Sequence, residues 1–243
     1  MTDFHTHILP ELDDGSRSVD ESIEMLRLMK QQGISTVCAT PHFYSDEDVP
    51  ESFFENRRIA YEKLRTVIEN EQLPQILLGA ELAYYPGVSK MSRLADFKIE
   101  GSKLILLEMP MITWSDYMVS ELIDISCSGD MTVVLAHVER YRFEQTKAVW
   151  TRLLKSGVLM QMNASYFTNT KTRRKAFKQL KRGEIHLLGS DCHNMISRTP
   201  RLYEAFELIG DKFGKDYAEE IQKFGERMLV NAIKTQKNKI LFQ

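Results

Sequence analysis

Seven short apolar runs rich in β-branched residues alternate along the chain with longer amphipathic stretches, and this alternation narrows the possible folds more than any other feature. The runs are 2–8, 35–42, 75–85, 103–110, 131–141, 158–167 and 185–194. Between them apolar residues recur three and four apart, as in Ile23, Leu26 and Met29 or Val119, Leu122 and Ile123, which is the period of an amphipathic helix. Boundary signals agree. Ser18 stands three residues before Glu21 as in a capping box, and Gly33, Gly129 and Gly157 each follow a helical run. Strand and helix alternating in this way imply a parallel sheet covered by helices, and seven continuous units suit a closed or nearly closed (β/α)7 TIM-like barrel. A doubly wound open sheet is the alternative. Residues 43–50 read as an acidic loop, 86–101 as an extra short element and 201–236 as two helices, with no repeat and no linker, so all 243 residues are expected to form one domain.

Charge and composition remove several function classes. With 32 Lys and Arg against 34 Asp and Glu, the chain lacks the cationic excess that displaces phosphate counterions from nucleic acid. It has neither an uninterrupted apolar stretch of membrane-spanning length nor a basic N-terminus followed by an apolar one, so a cytoplasmic protein without a signal peptide is expected. Cys38, Cys127 and Cys192 are too few and too scattered for a disulfide framework or a thiolate zinc site.

Five of the six histidines, His5, His7, His42, His137 and His193, fall in the C-terminal halves of predicted strands, the end at which a parallel barrel opens its active site. His186 sits at the opposite end of its run and reads as structural. His5 and His7 are two apart, which places both on one face of a strand. Two such histidines make poor core residues unless something binds them. In GSDCHN, Asp191 and His193 repeat the spacing, while Cys192 points the other way. Two carboxylates, Glu81 in ILLGAELAYY and Glu108 in LILLEMP, interrupt apolar runs at strand ends, where desolvation is costly unless a cation compensates. Asp13 and Asp14 precede Gly15 in a tight turn. One could reach a metal while the other caps the following helix, and spacing does not choose between them.

A rim carrying five histidines and at least four carboxylates has donors for two or three ions. Mixed imidazole and carboxylate ligation without thiolate favours Mn, Fe or Zn, and clustered ions of this kind clamp phosphoryl oxygens and activate a bridging hydroxide. Arg140 and Arg198, just beyond His137 and His193, supply the guanidinium forks that bind phosphate. No nucleophile elbow, P-loop, dinucleotide fingerprint or phosphate-cradling cysteine loop is present.

The segments FHTHILPELDDG, CATPHF, GAE, LLEMP, LAHVERY and GSDCHN, in this order, resemble the motifs of the polymerase and histidinol phosphatase (PHP) superfamily. The HILP…DDG opening, HVERY and the ending SDxHNxxxRxP are most similar to bacterial manganese-dependent protein-tyrosine phosphatases of the CpsB/YwqE type. The resemblance implies a distorted (β/α)7 barrel with three divalent ions. The first would be held by His5, His7, Glu81 and Asp191, the second by Glu81, Glu108 and His137, and the third by His42, His193 and Asp14. Arg140 and Arg198 would bind phosphate. The implied substrate is phosphotyrosine in the tail of a bacterial tyrosine autokinase that controls capsule or exopolysaccharide synthesis. Hydrolysis would proceed by direct attack of the hydroxide on phosphorus, with Asp14 able to assist the departing oxygen. Histidinol phosphatase-like cleavage of a small phosphoester is the rival within the superfamily. An amidohydrolase is less favoured, because its bridging lysine is replaced here by Glu81, and a non-catalytic phosphopeptide binder is less favoured still.

Overall fold

The computed structural model describes residues 1–69 and 71–229. In chain order the elements are β1 (Thr2–Thr6), α1 (Val19–Gln31), β2 (Thr36–Ala39), β3 (His42–Phe43), α2 (Pro50–Ile68), β4 (Gln75–Leu78), β5 (Glu81–Ala83), β6 (Leu104–Glu108), α3 (Asp116–Cys127), β7 (Thr132–Leu135), α4 (Lys147–Lys155), β8 (Leu159–Asn163), α5 (Ala164–Thr168), α6 (Arg173–Lys181), β9 (Leu187–Gly189), α7 (Leu202–Phe213) and α8 (Lys215–Met228). Short 3₁₀ turns at Val88–Lys90 and Leu94–Phe97 form the extra element expected between the third and fourth runs, and a third turn covers Val138–Arg140. Residues 230–236, included in the expected second C-terminal helix, lie outside the described residues. None of the described helices is long and apolar enough to cross a membrane.

Every strand pairing is parallel. One ladder runs β1-β2-β4 and the other β3-β5-β6-β7-β8-β9. A bridge from Thr6 to Cys192 and the bond from Asp191 N–H to the His5 carbonyl (2.8 Å) return the segment after β9 to β1, so the sheet curls back on itself. Two of the seven expected runs are broken. Run 35–42 splits into β2 and β3 at Thr40–Pro41, because Pro41 has no N–H for the ladder and restricts the residue before it. Run 75–85 splits into β4 and β5 at Gly79–Ala80. The fifth run stops at Leu135, the sixth turns helical at Ala164, and the seventh is strand only over Leu187–Gly189. Apart from Ile185 and His186, these departures fall at the ends that carry the polar residues.

β1 holds a bulge: Asp3 pairs with Val37 but Thr6 with Ala39, leaving an extra residue between them. Bulges re-aim side chains beside functional sites. Here the bulge lets Phe4 join the inner core while the next residue, His5, faces the polar end. Leu104 and Leu106 lie on the same face of β6 as Glu108, and with Phe4, Cys38, Leu77, Val134, Leu159 and Leu187 they form that inner core beneath the polar residues. Leu229, just past α8, closes it from below. A second, larger core lies between the sheet and its helices. α1 begins at Ser18, whose hydroxyl accepts from Glu21 N–H at 3.1 Å. Glu21 accepts from Arg17 N–H rather than from Ser18, so only half of the expected capping box forms. The inner core sets the height of the polar cluster above it, so Leu106→Ala should cost about 2–5 kcal/mol in urea unfolding. A loss below about 1 kcal/mol would mean that this layer is not close-packed.

Candidate metal centre

The polar ends of β1, β3, β5, β6, β7, β8 and β9 converge on one carboxylate. Glu81 is 1% exposed. Its Oε2 lies 3.0 Å from His5 Nε2, 3.3 Å from His7 Nε2 and 3.1 Å from His42 Nδ1, and its Oε1 lies 2.8 Å from His137 Nε2. His5 Nε2 and His7 Nε2 are 3.1 Å apart, so with Glu81 Oε2 they make a triangle of donor atoms. Asp191 Oδ1 stands 3.5 and 3.6 Å from the same two nitrogens. Glu108 Oε1 is 3.2 Å from His137 Nε2. On the other flank Asp14 Oδ1 lies 3.2 Å from His193 Nε2 and 3.5 Å from His42 Nε2.

These spacings suit cations. Donors about 2.1 Å from one ion stand about 3.0 Å apart in an octahedron and about 3.4 Å apart in a tetrahedron. The His5, His7 and Glu81 triangle has this spacing, and two further groups, His42, Glu81 and Glu108 and also His7, Asp14, His42 and His193, bring their donor atoms within 4.8 Å of one another. Two buried ring nitrogens, His42 Nδ1 and His193 Nε2, make no hydrogen bond even though each has a carboxylate oxygen nearby, as expected of lone pairs directed at an ion. Charge argues the same way, since Asp13, Asp14, Glu81, Glu108 and Asp191 face only two guanidiniums, those of Arg140 and Arg198.

Polar groups behind the donors fix their orientation. Asp13 Oδ2 accepts from His7 Nδ1–H at 2.6 Å and from His42 N–H at 3.0 Å, and its Oδ1 accepts from Gly15 N–H. Asp13 therefore backs the cluster while Asp14 faces it. Neither caps α1, which corrects the reading that one of them would. Gln161 Oε1 lies 3.3 Å from His5 Nδ1 and accepts from His137 N–H at 2.6 Å. The Tyr141 hydroxyl lies 3.0 Å from His137 Nδ1, and Asn163 Nδ2 donates to Asp191 Oδ2 at 2.7 Å. None of Gln161, Asn163 and Tyr141 was singled out from the sequence. The first two had a signal, being polar two apart in the run LMQMN; Tyr141 closes the HVERY motif, which gave it no role of its own.

Burial raises the cost of ionising Glu81, but His5, His137 and His7 outweigh it and hold the carboxyl well below its usual range. Burial likewise opposes ionisation of Asp191, and His5, His7 and Arg198 overcome it. Burial lowers the His7 pKa, yet hydrogen bonds to Asp13 and Glu81 carry it up to about 10. His137 rises to about 9 against the same burial, through Glu108 and Glu81. His193 falls to about 4 through burial and the nearby His7 and Arg198 charges.

The backbone is strained where it delivers these groups. His137 (φ 31°) and Asp191 (φ 53°) both occupy the left-handed region, a cost that side chains other than glycine's accept mainly at functional sites. Asp191 and His193 therefore reach the cluster from an irregular segment and not by strand alternation, while Cys192 is buried in the core as expected. Two glycines are required sterically: a Cβ at Gly15 would sit 2.3 Å from the His7 carbonyl oxygen, and one at Gly189 would sit 2.6 Å from His5 Cβ. Arg140 Nη2 and Arg198 Nη2 each lie 2.7 Å from one oxygen of Asp191, and both side chains are more than a third exposed at the mouth. His186 is away from the cluster, its Nδ1 accepting from Met160 N–H.

Residues 1–230 match the family model described as capsular polysaccharide synthesis, CpsB/CapC. The chain belongs to the CpsB/CapC family. It is 30% identical over 237 residues to tyrosine-protein phosphatase CpsB of Streptococcus agalactiae, covering 91% of this chain and 94% of that protein. Tyrosine-protein phosphatase YwqE of Bacillus subtilis is 29% identical over 241 residues, covering 95% and 92%. The fold matches a chain from the crystal structures of YwqE from B. subtilis and CpsB from Streptococcus pneumoniae, described as metal-dependent tyrosine phosphatases, with a TM-score of 0.82, 27% identity and 95% of each chain covered. A histidinol phosphate phosphatase from Lactococcus lactis, at 12% identity and a TM-score of 0.52 over 89% of this chain and 93% of that one, shares the fold alone. In this CpsB/CapC member, Asp13 is a positioning residue. Asp13→Ala should weaken Mn²⁺ binding about 10- to 100-fold by calorimetry while far-UV circular dichroism stays unchanged. Unaltered affinity would refute the role.

Proposed function

We propose that this chain is a metal-dependent protein-tyrosine phosphatase, a single domain built on a distorted (β/α)7 barrel. Its substrate is phosphotyrosine in the tail of a bacterial tyrosine autokinase that controls capsule or exopolysaccharide synthesis, in the cytoplasm. One observation carries the reading: donor atoms spaced as in a coordination shell surround Glu81, with two guanidiniums at the same mouth, in a member of a family whose named relatives are tyrosine phosphatases. Counting β2 with β3 and β4 with β5 as single staves gives seven staves, which supports the barrel.

His5, His7, Glu81 and Asp191 hold one divalent ion, Glu81, Glu108 and His137 a second, and Asp14, His42 and His193 a third. Manganese is preferred, and iron or zinc suits the same donors. Bound there, the cations supply Lewis-acid charge to the phosphoryl group and lower the pKa of water towards neutrality. The protein does the rest by positioning. Asp13, Gln161 and Tyr141 hold three imidazoles with Nε2 inward, so little reorganisation is needed when substrate arrives. Arg140 and Arg198 bind the equatorial phosphoryl oxygens through N–H groups not engaged by Asp191 and stabilise the charge that spreads over them in the transition state. The departing tyrosine oxygen has a conjugate-acid pKa near 10 and needs no strong general acid, which leaves Asp14 to the cation on its flank.

With Mn²⁺ the protein should release phosphate from a phosphotyrosyl peptide faster than from a phosphoseryl peptide or histidinol phosphate, and a chelator should abolish release. Arg140→Ala should raise KM about 10- to 100-fold, the scale of a lost hydrogen bond to a charged group, with metal content unchanged. Preference for histidinol phosphate would overturn the substrate assignment.

A further inference from the structure

Although the chain is nearly neutral overall, positions 171–182 carry seven Lys or Arg and no acidic residue. They cover α6 and its approach. Arg174, Lys178 and Lys181 are exposed and, among the described residues, make no ion pair. Together with Lys212 on α7 they border a surface groove of about 930 Å³ floored by Phe177 and Phe213. This face touches the loop that follows Arg140. Lys175 Nζ lies 4.8 Å from the centroid of the Phe143 ring, and Phe143, 76% exposed, is three residues after Arg140 in the loop that leaves the site. Cations and aromatic rings therefore continue from that loop along α6.

We propose that this face of α6 docks an acidic polypeptide segment flanking the phosphotyrosine of the protein substrate. The proposal rests on the phosphatase reading for the identity of the partner. Charge complementarity defines the segment's chemistry, since unpaired cations gain most from carboxylates steered towards them. The concave groove and its two phenyl rings suit an extended chain carrying apolar residues among its acids better than a flat membrane surface.

The test uses the Mn²⁺-loaded full chain and the variant K178E/K181E, both positions lying outside the metal centre. Substrates are phosphotyrosyl peptides flanked either by glutamates or by glutamines, with free phosphotyrosine as the control. The wild type should show a KM about tenfold lower for the glutamate peptide, an advantage that disappears in the variant and near 1 M salt, where the screening length is ~3 Å. Turnover of free phosphotyrosine should be the same for both proteins. A second arm follows binding of the unphosphorylated glutamate peptide by fluorescence anisotropy, which requires no catalysis. Binding by the wild type and not by the variant supports docking even if the chain turns over a different phosphoester. Equal KM values for the two peptides, or equal binding to both proteins, would overturn the proposal. Loss of binding to anionic phosphatidylserine vesicles in the variant, with peptide KM unchanged, would overturn it in favour of a membrane surface.

Discussion

Glu81 is a carboxylate with almost no solvent contact, set above a layer of leucines and a phenylalanine, and the upper half of the molecule is organised around keeping it charged. A buried carboxylate without compensation would neutralise or destabilise the fold. His5 and His7 approach it from β1 and its end, His42 from β3 and His137 from the strained turn after β7, each within about 3.3 Å, and Asp14, Glu81, Glu108 and Asp191 share the cavity with two arginines while Asp13 backs it. Imidazoles can balance that charge only when protonated, and protonated rings packed this closely repel one another. Divalent cations would remove both problems, because they would replace the protons and take the ring nitrogens as donors. The opposing shifts of His7 and His193 express the same tension: against burial, hydrogen bonds to Asp13 and Glu81 raise the pKa of one ring, while burial and nearby positive charge lower that of its neighbour.

The cost of this arrangement appears in the backbone. β1 bulges between Asp3 and Thr6, β2 and β4 break, and His137 and Asp191 take left-handed conformations. The inner apolar layer and the helices outside the sheet supply the stability that tolerates them. Gly15 and Gly189 belong to the same economy of space, because a methyl group at either would displace His7 or His5.

How far this could be read in advance depends on the kind of signal. The residues that converge on Glu81 are legible because a histidine or carboxylate inside an apolar run, near the end of a strand, has few structural explanations; Glu81 in ILLGAELAYY is the clearest case. The alternation of strand and helix gave the parallel order of the sheet. Strand length was not legible where tertiary demands interrupt a β-prone run, as at Thr40–Pro41 and after Leu135. Asp13 and Asp14 are identical in type and adjacent, so only the path of the turn decides which backs His7 and which faces His193. Tyr141 acts on His137 from within the same HVERY motif, but the spacing alone does not say that its hydroxyl reaches the ring. Gln161 and Asn163 were within reach, being polar at alternate positions of an otherwise apolar strand.

The central claim is that cations gather about Glu81. Crystals grown with Mn²⁺ and measured above and below its absorption edge would locate the ions by anomalous scattering. Peaks are expected on both sides of the Glu81 carboxylate, one bounded by His5, His7 and Asp191 and another by Glu108 and His137, with a third between Asp14, His42 and His193. A fully bound crystal with no peak within coordination distance of Glu81 would contradict it.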